Sequence, residues 1–188
     1  DFDYPVDDKP IFRNSQHMIW RQEREARGWD RDTYKKILSA YYGYVSMIDH
    51  SIGQLFQAMK EEGVWDDTMV IFTADHGDFA GEHGLFHKNF GLYDSICRIP
   101  FLLSWPGGPR GVTNDELVES VDLYPTLCEL CDVPLPADRD GCSLVPVGTG
   151  EAPGKEAVFT EWDWWRLKRK GWKKYAEKNA DEIRAIRK

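Results

Sequence analysis

The passage that most limits what this chain can fold into is Met69 to Phe72, an apolar, β-branched run that stops abruptly before Asp75-His76-Gly77. A continuous apolar run, without polar alternation, reads as a strand buried on both faces, and such strands belong to parallel sheets covered by helices. The pattern predicts a strand over 68–74. In open α/β sheets ligands bind beyond the carboxyl ends of the strands. Asp75 and His76 therefore stand where a cation would be held, and Gly77 lets the backbone turn sharply behind them. Lys88 lies further along the same Gly-rich loop and offers a point charge for an anion. Two plainer roles stay open at this level: Asp75 as a cap of the turn, and Lys88 as a solvated loop lysine.

The surrounding pattern supplies the rest of an α/β unit. Asp30 or Asp32 can cap a helix that runs to about Glu62 and stops at Gly63. Its apolar set, Ile37, Tyr41, Tyr44, Ile48, Ile52, Leu55, Phe56 and Met59, follows helical spacing and predicts a core-facing stripe. Pro100 to Trp105 reads as a second buried strand, ended by Pro106-Gly107-Gly108. Leu117 to Val121 reads as a short strand, leading into a helix from Tyr124 to Cys131 with Pro125 in its first turn. Pro134 to Pro153 reads as turn-rich loop, and Ala157 to Glu161 as a further strand. Residues 1–15 read as an extended surface segment.

Four short motifs, in order, resemble the sulfatase branch of the alkaline-phosphatase superfamily. They are Thr73-Ala74-Asp75-His76-Gly77; Gly81-Glu82-His83-Gly84 with Lys88; Asp94 followed by Arg98-Ile99-Pro100; and Val121-Asp122-Leu123-Tyr124-Pro125-Thr126-Leu127 with Asp140-Gly141-Cys142-Ser143-Leu144 beyond it. The stretch Tyr41 to Gly53 is similar to the long helix that precedes the family's metal-site strand. The resemblance implies an alkaline-phosphatase-like three-layer α/β sandwich with a mainly parallel central sheet, of which this chain is a partial domain. Residues 1–161 would belong to the catalytic domain, and 162–188 to a Trp/Lys-rich helical insertion or the start of a C-terminal subdomain.

The resemblance also implies an activity. A sulfate ester would be hydrolysed with a formylglycine nucleophile and one divalent metal held in part by Asp75 and His76. Lys88 would bind a sulfate oxygen beside the leaving alcohol, as both a catalytic and a substrate-binding residue. Calcium is the expected metal. The imidazole is a mild misfit for a cation that prefers oxygen, which keeps manganese and zinc open. None of Cys97, Cys128, Cys131 and Cys142 stands in the C-x-(P/A)-x-R context that becomes formylglycine. The nucleophile and the family's Asp-Asp metal pair are therefore expected in a further N-terminal part, with truncation at both ends. The same metal pair serves phosphonate and phosphate ester hydrolysis, which is the alternative activity; a non-catalytic binding module is another.

Composition narrows the partners. A hydrophobic fraction of 41% and an aromatic fraction of 13% are those of a folded globular chain. A net charge of −8 argues against nucleic acid, whose phosphates need basic stripes. No apolar stretch approaches the roughly 20 residues of a membrane span. The expected partner is a sulfated small molecule or glycan, with a homo-oligomer or pairing with an N-terminal part also open; no compartment is read. Cys128 and Cys131, spaced i, i+3, read as buried thiols acting as small hydrophobes, rather than as half of a zinc site. In the tail, Trp162, Trp164, Trp165 and Trp172 are interleaved with basic residues. Aromatics so placed either reach a substrate or pack on a neighbouring face.

Overall fold

A computed structural model of the chain describes residues 29–82, 85–88, 93–162 and 183–187. Residues 1–15 and most of the Trp-rich tail, including Trp164, Trp165 and Trp172, lie outside the described residues, as does His83. The chain packs as two compact units, Asp1–Thr68 with Phe72–Phe101 and Met69–Ile71 with Leu102–Lys188.

The first unit is built on the long helix α1 (Arg31–Glu61). It starts where the Asp30 carboxylate accepts the Thr33 N–H at 2.8 Å, satisfying one of the amides a helix start leaves open. It ends in a Schellman motif. Gly63 takes φ 71°, its N–H donates to the Lys60 carbonyl at 3.1 Å, and the Val64 N–H reaches back to the Met59 carbonyl at 3.0 Å. Both ends therefore fall where the caps in the sequence place them.

The core-facing stripe is a different matter. Only Tyr34 and Leu38 of α1 are buried. Tyr41, Tyr44, Ile48 and Leu55 are exposed, Tyr44 to 65%. Periodicity specifies that a face is apolar, whereas cover depends on which segments reach it. Trp29, Tyr34 and Phe86 cluster at the first turns, with the Tyr34 and Phe86 rings 5.5 Å apart. At the far end Phe56 meets Trp65 edge-on at 5.0 Å.

Strand β1 (Val70–Thr73) lies next to β2 (Phe101–Ser104) in a two-stranded sheet. Both were expected to be buried. Instead Phe72 is 40% and Leu102 60% exposed, and β2 alternates between half-buried and exposed positions. Short helices α2 (Asp94–Cys97), α3 (Leu123–Leu130) and α4 (Val145–Thr149) follow the motif segments. Strand β3 (Val158–Trp162) pairs antiparallel with β4 (Ile183–Arg187), with Thr160 opposite Ala185.

Two further expectations are corrected here. Leu117 to Val121 is not a strand: it makes a single bridge, Leu117 to Lys155, and then a 3-10 turn over Ser120–Asp122. The turn forms because the Glu119 N–H is captured by the Asp122 carboxylate at 2.8 Å, a local side-chain bond that competes with strand pairing. The loop predicted over 134–153 contains α4, opened by Pro146 in its first turn and stopped by Gly150 in the left-handed conformation. The cysteine expectation holds in part, since Cys128 is buried and Cys97 half-buried while Cys131 and Cys142 are exposed.

The second unit is organised around one buried carboxylate. Asp122 is fully buried. Its Oδ1 accepts the Cys142 N–H at 2.9 Å and pairs with the Lys155 ammonium at 2.7 Å. The Thr126 hydroxyl donates to the Asp122 carbonyl at 2.6 Å and accepts the Leu144 N–H at 2.9 Å. Glu119 completes the hub, bonding the Phe159 N–H at 2.6 Å through one oxygen and Lys155 through the other. A Cβ at Gly141 would overlap the Val121 carbonyl oxygen, which is why the turn carrying Cys142 needs glycine there.

Burial pulls the Lys155 ammonium down, but its bonds to Asp122 and Glu119 outweigh this, and the net shift is upward from the ordinary 10.5. A raised pKa means that the stabilisation is complete below pH 10.5 and fades as pH climbs through the folded-state value above it. Urea midpoints measured from about pH 8 to about pH 11.5 should therefore fall at the alkaline end in the parent chain, and fall less in Lys155→Met. Equal slopes in the two would show that Lys155 is not coupled to folding.

Candidate functional site

Beyond the carboxyl end of β1 the chain turns at Asp75-His76-Gly77. The His76 N–H donates to Asp75 Oδ1 at 3.0 Å, fixing the carboxylate beside the turn. The imidazole Nδ1 lies 2.7 Å from the Gly77 carbonyl oxygen. A carbonyl only accepts, so Nδ1 is the donor in this contact and Nε2 is the ring nitrogen left facing away from it. That Nε2 lies 3.5 Å from Asp75 Oδ2. Asp75 is largely exposed, at 82%, and His76 is 32% exposed.

This spacing is compatible with two neighbouring ligands of one divalent cation. Donors at 2.3–2.6 Å from one ion and at right angles to each other lie roughly 3.3–3.7 Å apart. A His ligand also characteristically donates its other ring N–H to a carbonyl or carboxylate, as His76 does to Gly77. The pair thus fits a metal, to which it would contribute two donors. No cluster of three or more His, Cys, Asp or Glu side chains suited to a metal occurs among the described residues. Further ligands would have to come from elsewhere.

The loop after the turn is held firmly. Asp78 Oδ1 accepts the Ala80 N–H at 2.7 Å, forming an Asx turn. The Phe79 N–H donates to the His87 carbonyl at 3.1 Å and the Gly81 N–H to the Leu85 carbonyl at 2.9 Å. Phe79 and Leu85 are each 1% exposed, and Phe79 stacks edge-on with Tyr93 at 5.4 Å. Gly81, at φ 100°, lies against the Tyr34 ring, where a Cβ would come within 3.2 Å of it. His87 takes φ 63°, an uncommon conformation for a side-chain-bearing residue. It immediately precedes Lys88, which is exposed.

The sequence-predicted site residues all fall in the first unit. Asp75 and His76 are brought together; among the described residues no hydrogen bond or ion pair joins Lys88 to either of them. Sequence reasoning did not single out Asp78, whose side chain shapes the loop, nor Glu119 and Lys155, which hold Asp122. The signal for the latter was the Val121-Asp122-Leu123 motif, whose acidic residue had no assigned task.

The sulfatase family model matches residues 2–133. The chain belongs to the sulfatase family. Over 147 residues it is 28% identical to the Delta 4,5-hexuronate-2-O-sulfatase of Bacteroides thetaiotaomicron, covering 77% of this chain and 31% of that protein. It is 34% identical over 137 residues to the arylsulfatase of Clostridium perfringens, covering 66% of this chain and 28% of that protein. Among solved structures, the phosphonate monoester hydrolase of Agrobacterium radiobacter matches with a TM-score of 0.75 at 32% identity, over 85% of this chain and 33% of that one. The chain therefore carries part of the alkaline-phosphatase-like α/β fold, as its motifs implied. It spans about a third of the length of the curated sulfatases it matches. Among the described residues no helix is long and apolar enough to cross a membrane.

Proposed function

We propose that this chain is the metal- and anion-binding part of a sulfatase that hydrolyses the sulfate ester of a small molecule or glycan. The observation that carries it is the ordered pair beyond β1: an imidazole locked by the Gly77 carbonyl so that its free nitrogen stands beside the Asp75 carboxylate. Asp75 and His76 would hold one divalent cation, with calcium as the expected ion. Such a cation supplies Lewis-acid polarisation of the bound sulfate. Lys88, on a loop anchored by Phe79 and Leu85, would bind a sulfate oxygen and offset charge developing on the leaving alcohol. The nucleophile in this reading is a formylglycine, and none of the four cysteines of this chain stands in its motif. Relatives named for a hexuronate-2-O-sulfatase and an arylsulfatase support a sugar or aryl alcohol. The fold match to a phosphonate monoester hydrolase supports a second reading, in which the same pair and lysine serve a phosphonate or phosphate ester.

In the complete protein, Asp75→Ala should abolish stoichiometric calcium binding in a calorimetric titration and remove most turnover. Metal content and turnover both surviving would exclude the site. The two ester classes separate by assay of the parent protein, since a higher kcat/KM on a phosphonate than on a sulfate monoester would reverse the order of the readings.

A further inference from the structure

The Asp75–His76 pair does not hold itself in place. The Gly77 N–H donates to the Ile96 carbonyl at 2.8 Å, while the Gly77 carbonyl accepts His76 Nδ1–H at 2.7 Å. One residue thus links the ligand ring to helix α2. The approach is so close that a Cβ at Gly77 would overlap the Ser95 carbonyl oxygen and lie 2.8 Å from its carbon. On either side of this contact the two segments are clamped by buried rings. Phe79, two residues beyond Gly77, meets Tyr93, two residues before Ser95, and Ile96 packs against the same cluster.

We propose that the Ser95–Ile96 backbone of α2 is a strut that positions the metal-ligand pair, and that Gly77 is the positioning residue that lets the pair seat on it. The proposal rests on the reading of Asp75 and His76 as metal ligands. Any side chain at 77 must lift the turn off Ser95. The Gly77 peptide then loses its bond to Ile96, or its carbonyl swings away from Nδ1 and frees the ring. In the first case the turn that carries the pair loses its anchor to α2, and in the second Nε2 is no longer held beside Asp75. Loss of a group that orients a metal-bound histidine characteristically weakens metal binding by about 10–100-fold.

The Ser95 side chain offers a control. Its Oγ is buried and has no hydrogen-bond partner among the described residues, so the contact with Gly77 runs through backbone atoms alone. Removing an unpartnered buried hydroxyl carries little cost.

The test uses the complete protein, titrated calorimetrically with calcium. Gly77→Ala should bind about 10–100-fold more weakly, with the metal-free melting curve still cooperative, and the His76 ring nitrogens should lose the Nδ1-protonated signature in nitrogen-15 spectra. Ser95→Ala should bind as the parent does. Parent-like calcium affinity in Gly77→Ala, or an equal loss in Ser95→Ala, would overturn the strut. Should Gly77→Ala fail to fold, hydrogen exchange of the parent decides: the Gly77 amide must be protected without metal, and exchange at the rate of an open loop would sink the proposal. Failure of the metal reading is recognised separately, because Asp75→Ala would then leave calcium binding unchanged while the Gly77 amide stayed protected.

Discussion

Lys88→Ala in the complete protein is expected to lower kcat by about 10²-fold or more while leaving folding and metal content intact. Lys88 is exposed, but its loop is not free to wander: Phe79 and Leu85 are buried at its base and the Phe79 N–H holds the His87 carbonyl next door. With the neighbouring backbone anchored this way, anion binding has to order chiefly the lysine side chain itself. Charge on the ester oxygen grows as the bond to sulfur breaks, so Lys88 would stabilise the transition state more than the bound substrate. Its loss then appears in kcat as well as in KM. The effect should be largest for esters of poorly acidic alcohols, where the leaving group carries most charge. Steady-state kinetics on aryl sulfates of graded leaving-group pKa measure this directly. Parent-like constants across the series would reduce Lys88 to a solvated loop lysine.

Asp122→Ala should cost about 3–5 kcal/mol of folding free energy, the range for removing one partner of a buried ion pair. The substitution takes one of two carboxylate partners from the Lys155 ammonium, leaves the Cys142 and Glu119 amides without their acceptor, and empties a fully buried site. A domain with a total stability of about 5–15 kcal/mol can lose much of its folded population to such a change. Urea unfolding of parent and variant at neutral pH gives the difference. A loss under about 1 kcal/mol would place the pair with ordinary surface salt bridges, which contribute that little.

Much of the site was legible because its residues are contiguous. Asp75, His76 and Gly77 adjoin a strand that the apolar run announces, and the structure puts that strand at Val70–Thr73. The caps of α1 were equally legible, since Asp30 and Gly63 act on amides and carbonyls within a few residues of themselves. The Pro125 helix was found for the same reason.

Two inferences that needed distant partners failed. The segment 117–121 is apolar enough for a strand, yet the Asp122 carboxylate bends it into a 3-10 turn because Cys142 and Lys155 fix that carboxylate from 20 and 33 residues away. The stripe on α1 is real as a pattern, and its exposure depends on what the rest of the fold lays against it.

Sequence alone determined the family, the αβ unit, the helix ends and the candidate ligands, because these rest on local hydrogen bonding, side-chain periodicity and short motifs. Only the tertiary structure decided that Asp122 is a buried hub and that His76 presents Nε2 to Asp75. It alone showed that Gly77 is required by the Ser95 carbonyl. The Asp122 hub and the Gly77–Ser95 approach are contacts between atoms that chain order does not bring together, while the His76 ring orientation is a choice among local rotamers that the sequence leaves open.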